Sequence, residues 1–183
     1  GLAVCWAAGV TTVADTGDSG AVIRALADAG GCGIAYQEVF GPHPSQCEES
    51  LDGLERRIDA LGVFAGGRVL MGVSPHAPYT VSGRLYEATA SLARDEGLPL
   101  AVHVAESAAE TELLEQGTGP FAEAWHVRGI PMPSPLGGTP VEWLERHGVL
   151  GERTLCIHLV RATRGDIGLL GRAGAAVAHC PLS

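Results

Sequence analysis

Short apolar runs and amphipathic stretches alternate along this chain. Ala8-Gly-Val-Thr-Thr-Val-Ala-Asp15 is β-branched, ends on an acid and is broken by Gly17 and Gly20, which predicts a strand; residues 21–29 then carry apolar side chains at helical spacing. Gly33-Ile-Ala-Tyr-Gln-Glu-Val-Phe40 repeats the strand pattern, and residues 48–65 follow as a helix with Leu51, Leu54, Ile58 and Leu61 on one face. Arg68-Val-Leu-Met-Gly-Val-Ser74 is a third strand, after which Ser82 caps a helix that Gly97 ends. In the fourth strand, Leu98-Pro-Leu-Ala-Val-His-Val-Ala-Glu-Ser107, the apolar run Leu100 to Val104 suits a central parallel strand that opens into a helix at Ser107. Residues 108–116 and 121–127 read as helices, and residues 129–139, rich in proline and glycine, as an irregular loop placed where it could cover a site. A helix over 141–147, a strand Thr154-Leu-Cys-Ile-His158, a helix over 163–173 and a sixth strand, Gly174-Ala-Ala-Val-Ala-His179, complete the pattern.

Alternating strands and helices imply parallel strands joined by right-handed crossovers, so the fold is a (β/α) barrel or an open doubly wound sheet. A nucleotide-binding open sheet would want a glycine-rich phosphate turn after its first strand. Asp15-Thr-Gly-Asp-Ser-Gly20 matches neither G-x-G-x-x-G nor the P-loop, which favours the barrel.

Composition narrows the partners. With 46% hydrophobic and 18% charged residues the chain can bury a core, and its formal charge of -9 with no basic cluster argues against nucleic acid. The charge-free opening, residues 1–14, lacks a basic start and is broken by Thr11 and Thr12, so no membrane span is expected. Five scattered cysteines fit reduced thiols and a cytoplasmic protein. A start at Gly1 and a stop directly after a strand-like run give the expectation of a fragment, one partial barrel domain over residues 1–183 truncated at both ends.

Chemistry gathers at the predicted strand ends. Asp15, Glu38, His76, His103 with Glu106, His158 and His179 occupy them, so four of the seven histidines share one topological position, where barrels carry their active sites. On a continuing strand His103 and Glu106 would face opposite sides; if the strand stops near Val104 they share a site, the imidazole able to bind a metal and the carboxylate to move protons. A core histidine beside a first-turn glutamate is the other reading of this pair, and the pair alone leaves both open. Several histidines and acids at one barrel mouth suit a divalent ion of the zinc or iron kind, which lowers the pKa of water to about 7.

Gly9-Val-Thr-Thr-Val-Ala-Asp15, Ser74-Pro-His-Ala-Pro-Tyr-Thr80, His103-Val-Ala-Glu-Ser107, Ile157-His-Leu159 and Ala178-His-Cys-Pro181 resemble, in order and spacing, the amidohydrolase superfamily, in particular its adenosine-derivative deaminases and their chlorohydrolase relatives. The resemblance implies an α/β fold, an incomplete (β/α)8 TIM-type barrel with six βα units, strands two to seven of the full barrel. It implies hydrolytic deamination of an amino-substituted ring, the adenine of a nucleoside derivative, with one divalent metal ion, zinc ahead of iron. By the same resemblance His103 is a metal ligand, Glu106 the proton shuttle, His158 a catalytic partner at the reacting centre, and His76 a substrate-binding residue. His179 is expected to be structural, Asp15 and Glu38 strand-end hydrogen-bonding residues, with orientation of the site's groups as the alternative, and His43, His126 and His147 loop or helix-end residues. The partner is then a small-molecule substrate, with a homo-oligomer left open. Family members also bring an H-x-H pair from strand one and an aspartate from strand eight, and neither is in this chain. The piece alone is therefore expected to bind metal weakly and not to turn over. A chlorohydrolase or cyclic amidase on the same scaffold, and a non-catalytic barrel segment, are the alternatives.

Overall fold

A computed structural model describes residues 1–183. Six strands form one sheet in sequence order, β1 (Val13–Gly17), β2 (Gly33–Val39), β3 (Val69–Pro75), β4 (Leu100–Val104), β5 (Thr154–His158) and β6 (Ala176–His179), and every neighbouring pair is parallel. Helices fill the crossovers. After α1 (Leu2–Ala7) come α2 (Ala21–Asp28), α3 (Cys47–Leu61) and α4 (Gly83–Asp95), then α5 (Ala108–Gln116), α6 (Gly119–Val127) and α7 (Pro140–Arg146) between β4 and β5, and α8 (Arg164–Ala173) before β6. The sheet curls into part of a barrel: Thr16 on β1 reaches His103 on β4 at 3.4 Å, whereas three strand spacings across a flat sheet would be about 14 Å.

Beyond shifts of up to four residues at the ends of other elements, such as the helix expected over 48–65 that ends at Leu61, two elements differ from the sequence expectation. Residues 2–7, where the pattern predicts no element, are helical, as an unbroken run of leucine, alanine and other apolar residues permits. The first strand begins at Val13 instead of Ala8, because its pairing partner begins at Gly33, opposite Val13, and Gly9 is turned to φ +85°. Gly33 makes that close approach feasible, since a Cβ there would collide with the Val13 carbonyl oxygen.

The main core lies between the outer face of the sheet and the helices. Val73, Leu100, Val102, Val104 and Cys156 point outward from β3, β4 and β5 onto Leu54, Leu85, Tyr86, Ala90, Trp143 and Leu144. Period-two alternation then sends His103 to the inner face. Leu85 is fully buried in this layer, so Leu85→Ala is expected to cost about 2–5 kcal/mol of stability, read as a lower denaturation midpoint with an unchanged slope. No helix is long and apolar enough to cross a membrane.

Candidate metal centre and proton-transfer site

His76 leaves β3 on a turn bracketed by Pro75 and Pro78, and the Thr80 N–H closes that turn on the Ala77 carbonyl at 2.9 Å. The Thr80 hydroxyl donates to the same carbonyl at 3.1 Å and lies 2.7 Å from His76 Nδ1. With its one proton spent on Ala77, the hydroxyl accepts from Nδ1–H, which leaves the lone pair of His76 on Nε2. Burial pushes His76 down to about 4, helped by His103 and His158 and opposed by Glu106, so it is neutral at pH 7. Burial lowers His103 as well, against the pull of the Glu38 carboxylate. The two histidines are tied through the backbone, the His103 N–H donating to the His76 carbonyl at 2.8 Å.

His103 Nε2 stands 3.4 Å from Glu38 Oε1, and one donor atom each from Glu38, His76 and His103 falls within 4.8 Å of the others. Two neutral imidazoles and a carboxylate are a donor set that a divalent ion such as zinc accepts, and their convergence at partial burial fits a metal site.

The His103–Glu106 question is decided by one backbone angle. The strand stops at Val104, and Ala105 takes φ +52°, a left-handed conformation uncommon outside glycine. The chain thereby turns, and Glu106 comes to the mouth with Oε1 3.5 Å from His158 Nε2 and Oε2 accepting from the Tyr79 hydroxyl at 3.3 Å. Burial, reinforced by Glu106, holds the Tyr79 phenol above its ordinary range, so it remains a donor. His158 itself has φ +78° and Leu159 φ +55°, two consecutive strained residues that swing the imidazole inward at the end of β5. The rings of His76 and His103 are 5.0 Å apart and those of His103 and His158 5.3 Å, so the three histidines form one row. Phe40 lies 4.9 Å from the His76 ring on one side, and Tyr79 stacks on Phe121 at 4.3 Å on the other, giving the mouth an aromatic wall.

The structure thus gathers His76, His103, Glu106 and His158, and adds to the donor group Glu38, expected from the sequence to be a strand-end hydrogen-bonding residue or one that orients the site's groups. Asp15 stands outside the donor group, its carboxyl raised by burial. His179 Nδ1 donates to the His158 carbonyl at 2.9 Å and so braces that strand end. His43 caps a short turn at Pro44–Gln46, and His147 pairs with Glu87 at 2.9 Å, both away from the mouth. Loop 129–139 fastens to Leu114 and Arg146, and from this excursion Phe121 on α6 stacks on Tyr79 while Trp125 Nε1 donates to the Tyr79 carbonyl at 3.0 Å. Sequence reasoning missed Tyr79, Thr80, Phe121 and Glu110. The first two sit inside the motif that carries His76; Glu110 completes the capping-box spacing Ser107-Ala-Ala-Glu110, a signal for a helix start and not for the turn at Glu106.

The model of the amidohydrolase family matches residues 5–183. Among curated proteins, the aminodeoxyfutalosine deaminase of Deinococcus radiodurans is 36% identical over 163 residues, 82% of this chain and 38% of that protein. The 5-methylthioadenosine/S-adenosylhomocysteine deaminase of Symbiobacterium thermophilum is 30% identical over 178 residues, 96% of this chain and 37% of that protein. The chain therefore spans under two fifths of the length of these relatives. Among solved structures, Helicobacter pylori aminofutalosine deaminase in complex with methylthio-coformycin superposes with a TM-score of 0.86 at 18% identity, covering 98% of this chain and 44% of that one. That likeness establishes the incomplete barrel.

Proposed function

Because this chain belongs to the amidohydrolase family, we propose that the protein containing it is a metal-dependent hydrolase that removes an amino group from a ring, the adenine of a nucleoside derivative. The observation that carries this reading is the placement of the Glu106 carboxylate between Tyr79 and His158, beside the donor group of His103, His76 and Glu38. Both deaminase relatives support the substrate class.

His103 would hold the ion, with Glu38 next to it, and zinc suits an imidazole and carboxylate set. When bound, the ion supplies Lewis acidity and hydroxide at neutral pH. Glu106 carries two protons in turn: the one released as water attacks goes to the ring nitrogen beside the amino-bearing carbon, and the one from the hydroxyl then on that carbon goes to the departing ammonia, which leaves the carboxylate as it began. Its anchor on the Tyr79 hydroxyl keeps one oxygen aimed at the mouth. His158, within 3.5 Å of Glu106, takes up the proton that the attacking water loses and steers it to that carboxylate. His76, its Nε2 unprotonated and its ring edge-on to Tyr79 at 5.9 Å, accepts from the substrate's amino group while Tyr79 and Phe121 face the ring. Five free thiols support a reducing, cytoplasmic setting, and the net charge of -9 supports a small-molecule partner over nucleic acid.

The test is ammonia release by the full-length protein. We expect turnover of 5′-substituted adenosines, its loss after chelation, and its return with added zinc. Release that survives complete removal of metal, or none from any adenosine derivative by the metal-loaded protein, overturns the reading.

A further inference from the structure

The turn that presents Glu106 has all four of its neighbouring backbone groups engaged, and one side chain satisfies half of them. Glu110 Oε1 accepts from the Ala105 N–H and Oε2 from the Glu106 N–H, each at 2.9 Å. On the other side of the turn, the Val104 carbonyl accepts from the Leu159 N–H at 3.0 Å and the Ala105 carbonyl from the Arg161 N–H at 2.8 Å. Leu159 directly follows His158 and Arg161 lies two residues further on, so a single left-handed turn is clamped between Glu110 and the strand end that carries its catalytic partner.

Glu110 is fully buried, and a carboxylate is a costly group to enclose. Burial pushes it up to about 7, against the stabilising N–H groups of Glu106, Ala105 and Ser107. Helix capping does not require this arrangement. Ser107 already caps α5, its hydroxyl accepting from the Glu110 N–H at 3.3 Å. A capping box would need only the third-position glutamate on the N-cap residue's own N–H; Glu110 extends beyond that group, placing its two 2.9 Å bonds on Glu106 and Ala105. A bidentate carboxylate across two consecutive N–H groups holds that peptide in one orientation, and Ala105 at φ +52° is a conformation that needs such support.

We infer that Glu110 is a positioning residue for proton transfer: its carboxylate fixes the left-handed turn at Ala105 and thereby the 3.5 Å approach of Glu106 to His158. The inference rests on the reading of Glu106 as proton carrier. Glu110→Gln keeps the shape but turns an amide N–H toward one of two backbone N–H donors, so one clamp is lost and the turn loosens.

The experiment is a double-mutant cycle in the full-length, metal-loaded protein with Glu106→Gln, Glu110→Gln and both together. E110Q is expected to lower kcat about ten- to a hundredfold, with KM within about twofold and metal content unchanged, as a small misplacement of a reacting group would. In the E106Q background it should cost nothing further, because it acts through Glu106. Ser107→Ala, which removes the helix cap and leaves the clamp, should lower Tm without touching kcat. If E110Q does not fold, the same cycle is run with Glu110→Asp. An equal fold-loss from the Glu110 variant in both backgrounds, or a lowered Tm with kcat intact, overturns the inference alone. Full turnover by E106Q removes the assignment of Glu106 and this inference together.

Discussion

Replacing Glu106 by glutamine in the full-length protein should lower turnover by about 10²–10⁴-fold while metal content stays at the wild-type level. The amide preserves the size of the side chain and can still meet the Tyr79 hydroxyl at the 3.3 Å position, so the mouth keeps its shape. What is lost is a group able to take up and release a proton beside His158. Glu106 is also not one of the three residues whose donor atoms cluster within 4.8 Å, which is why metal uptake should survive. Elemental analysis alongside steady-state ammonia release checks both halves. Unchanged kcat sinks the proton-carrier role, and a parallel loss of metal moves Glu106 into the ligand set instead.

His103→Ala should act the opposite way, reducing metal content by about tenfold or more, with turnover falling alongside it. His103 is the residue on which the others converge: its Nε2 is 3.4 Å from both Glu38 and Thr16, and its ring lies midway in the row between His76 and His158. His76→Ala provides the contrast. It should keep more metal than the His103 variant, since Glu38 and His103 remain as donors, and raise KM by about tenfold, because its ring sits edge-on to Tyr79 at 5.9 Å. Metal titration of the two variants separates the roles, and loss of metal in the His76 variant would place that imidazole on the ion.

Most of the architecture was legible in the pattern of the residues. The run Leu100 to Val104, bounded by Pro99 and Ser107, announces a buried strand entering a helix, and the structure has β4 and α5 there. The helix over Gly83–Asp95 follows from Ser82 at its start and Gly97 beyond its end. The misplacement of β1 shows where such reading stops, since Val10-Thr-Thr12 is as β-branched as Val13 but lies ahead of the point at which β2 begins to offer a partner. The site divides in the same manner. His76, His103, Glu106 and His158 mark themselves by standing at strand ends inside recognisable motifs. Glu38 does not, because its importance comes from a residue 65 positions away on another strand, as the 3.4 Å contact to His103 shows.

The residues by themselves determined the alternation of strands and helices, the parallel sheet, and the end of the sheet at which polar groups collect, because apolar periodicity is a local property that each segment carries alone. Only the tertiary structure decided that His103 and Glu106 share one mouth, that Glu38 and Thr16 lean onto His103, and that Glu110 clamps the turn between them. Those distances depend on the curl of the sheet summed over several strands and on the sign of φ at Ala105 and His158. A strained backbone angle is set by the bonds that surround it, and here those bonds come from Glu110, Leu159 and Arg161 on neighbouring elements.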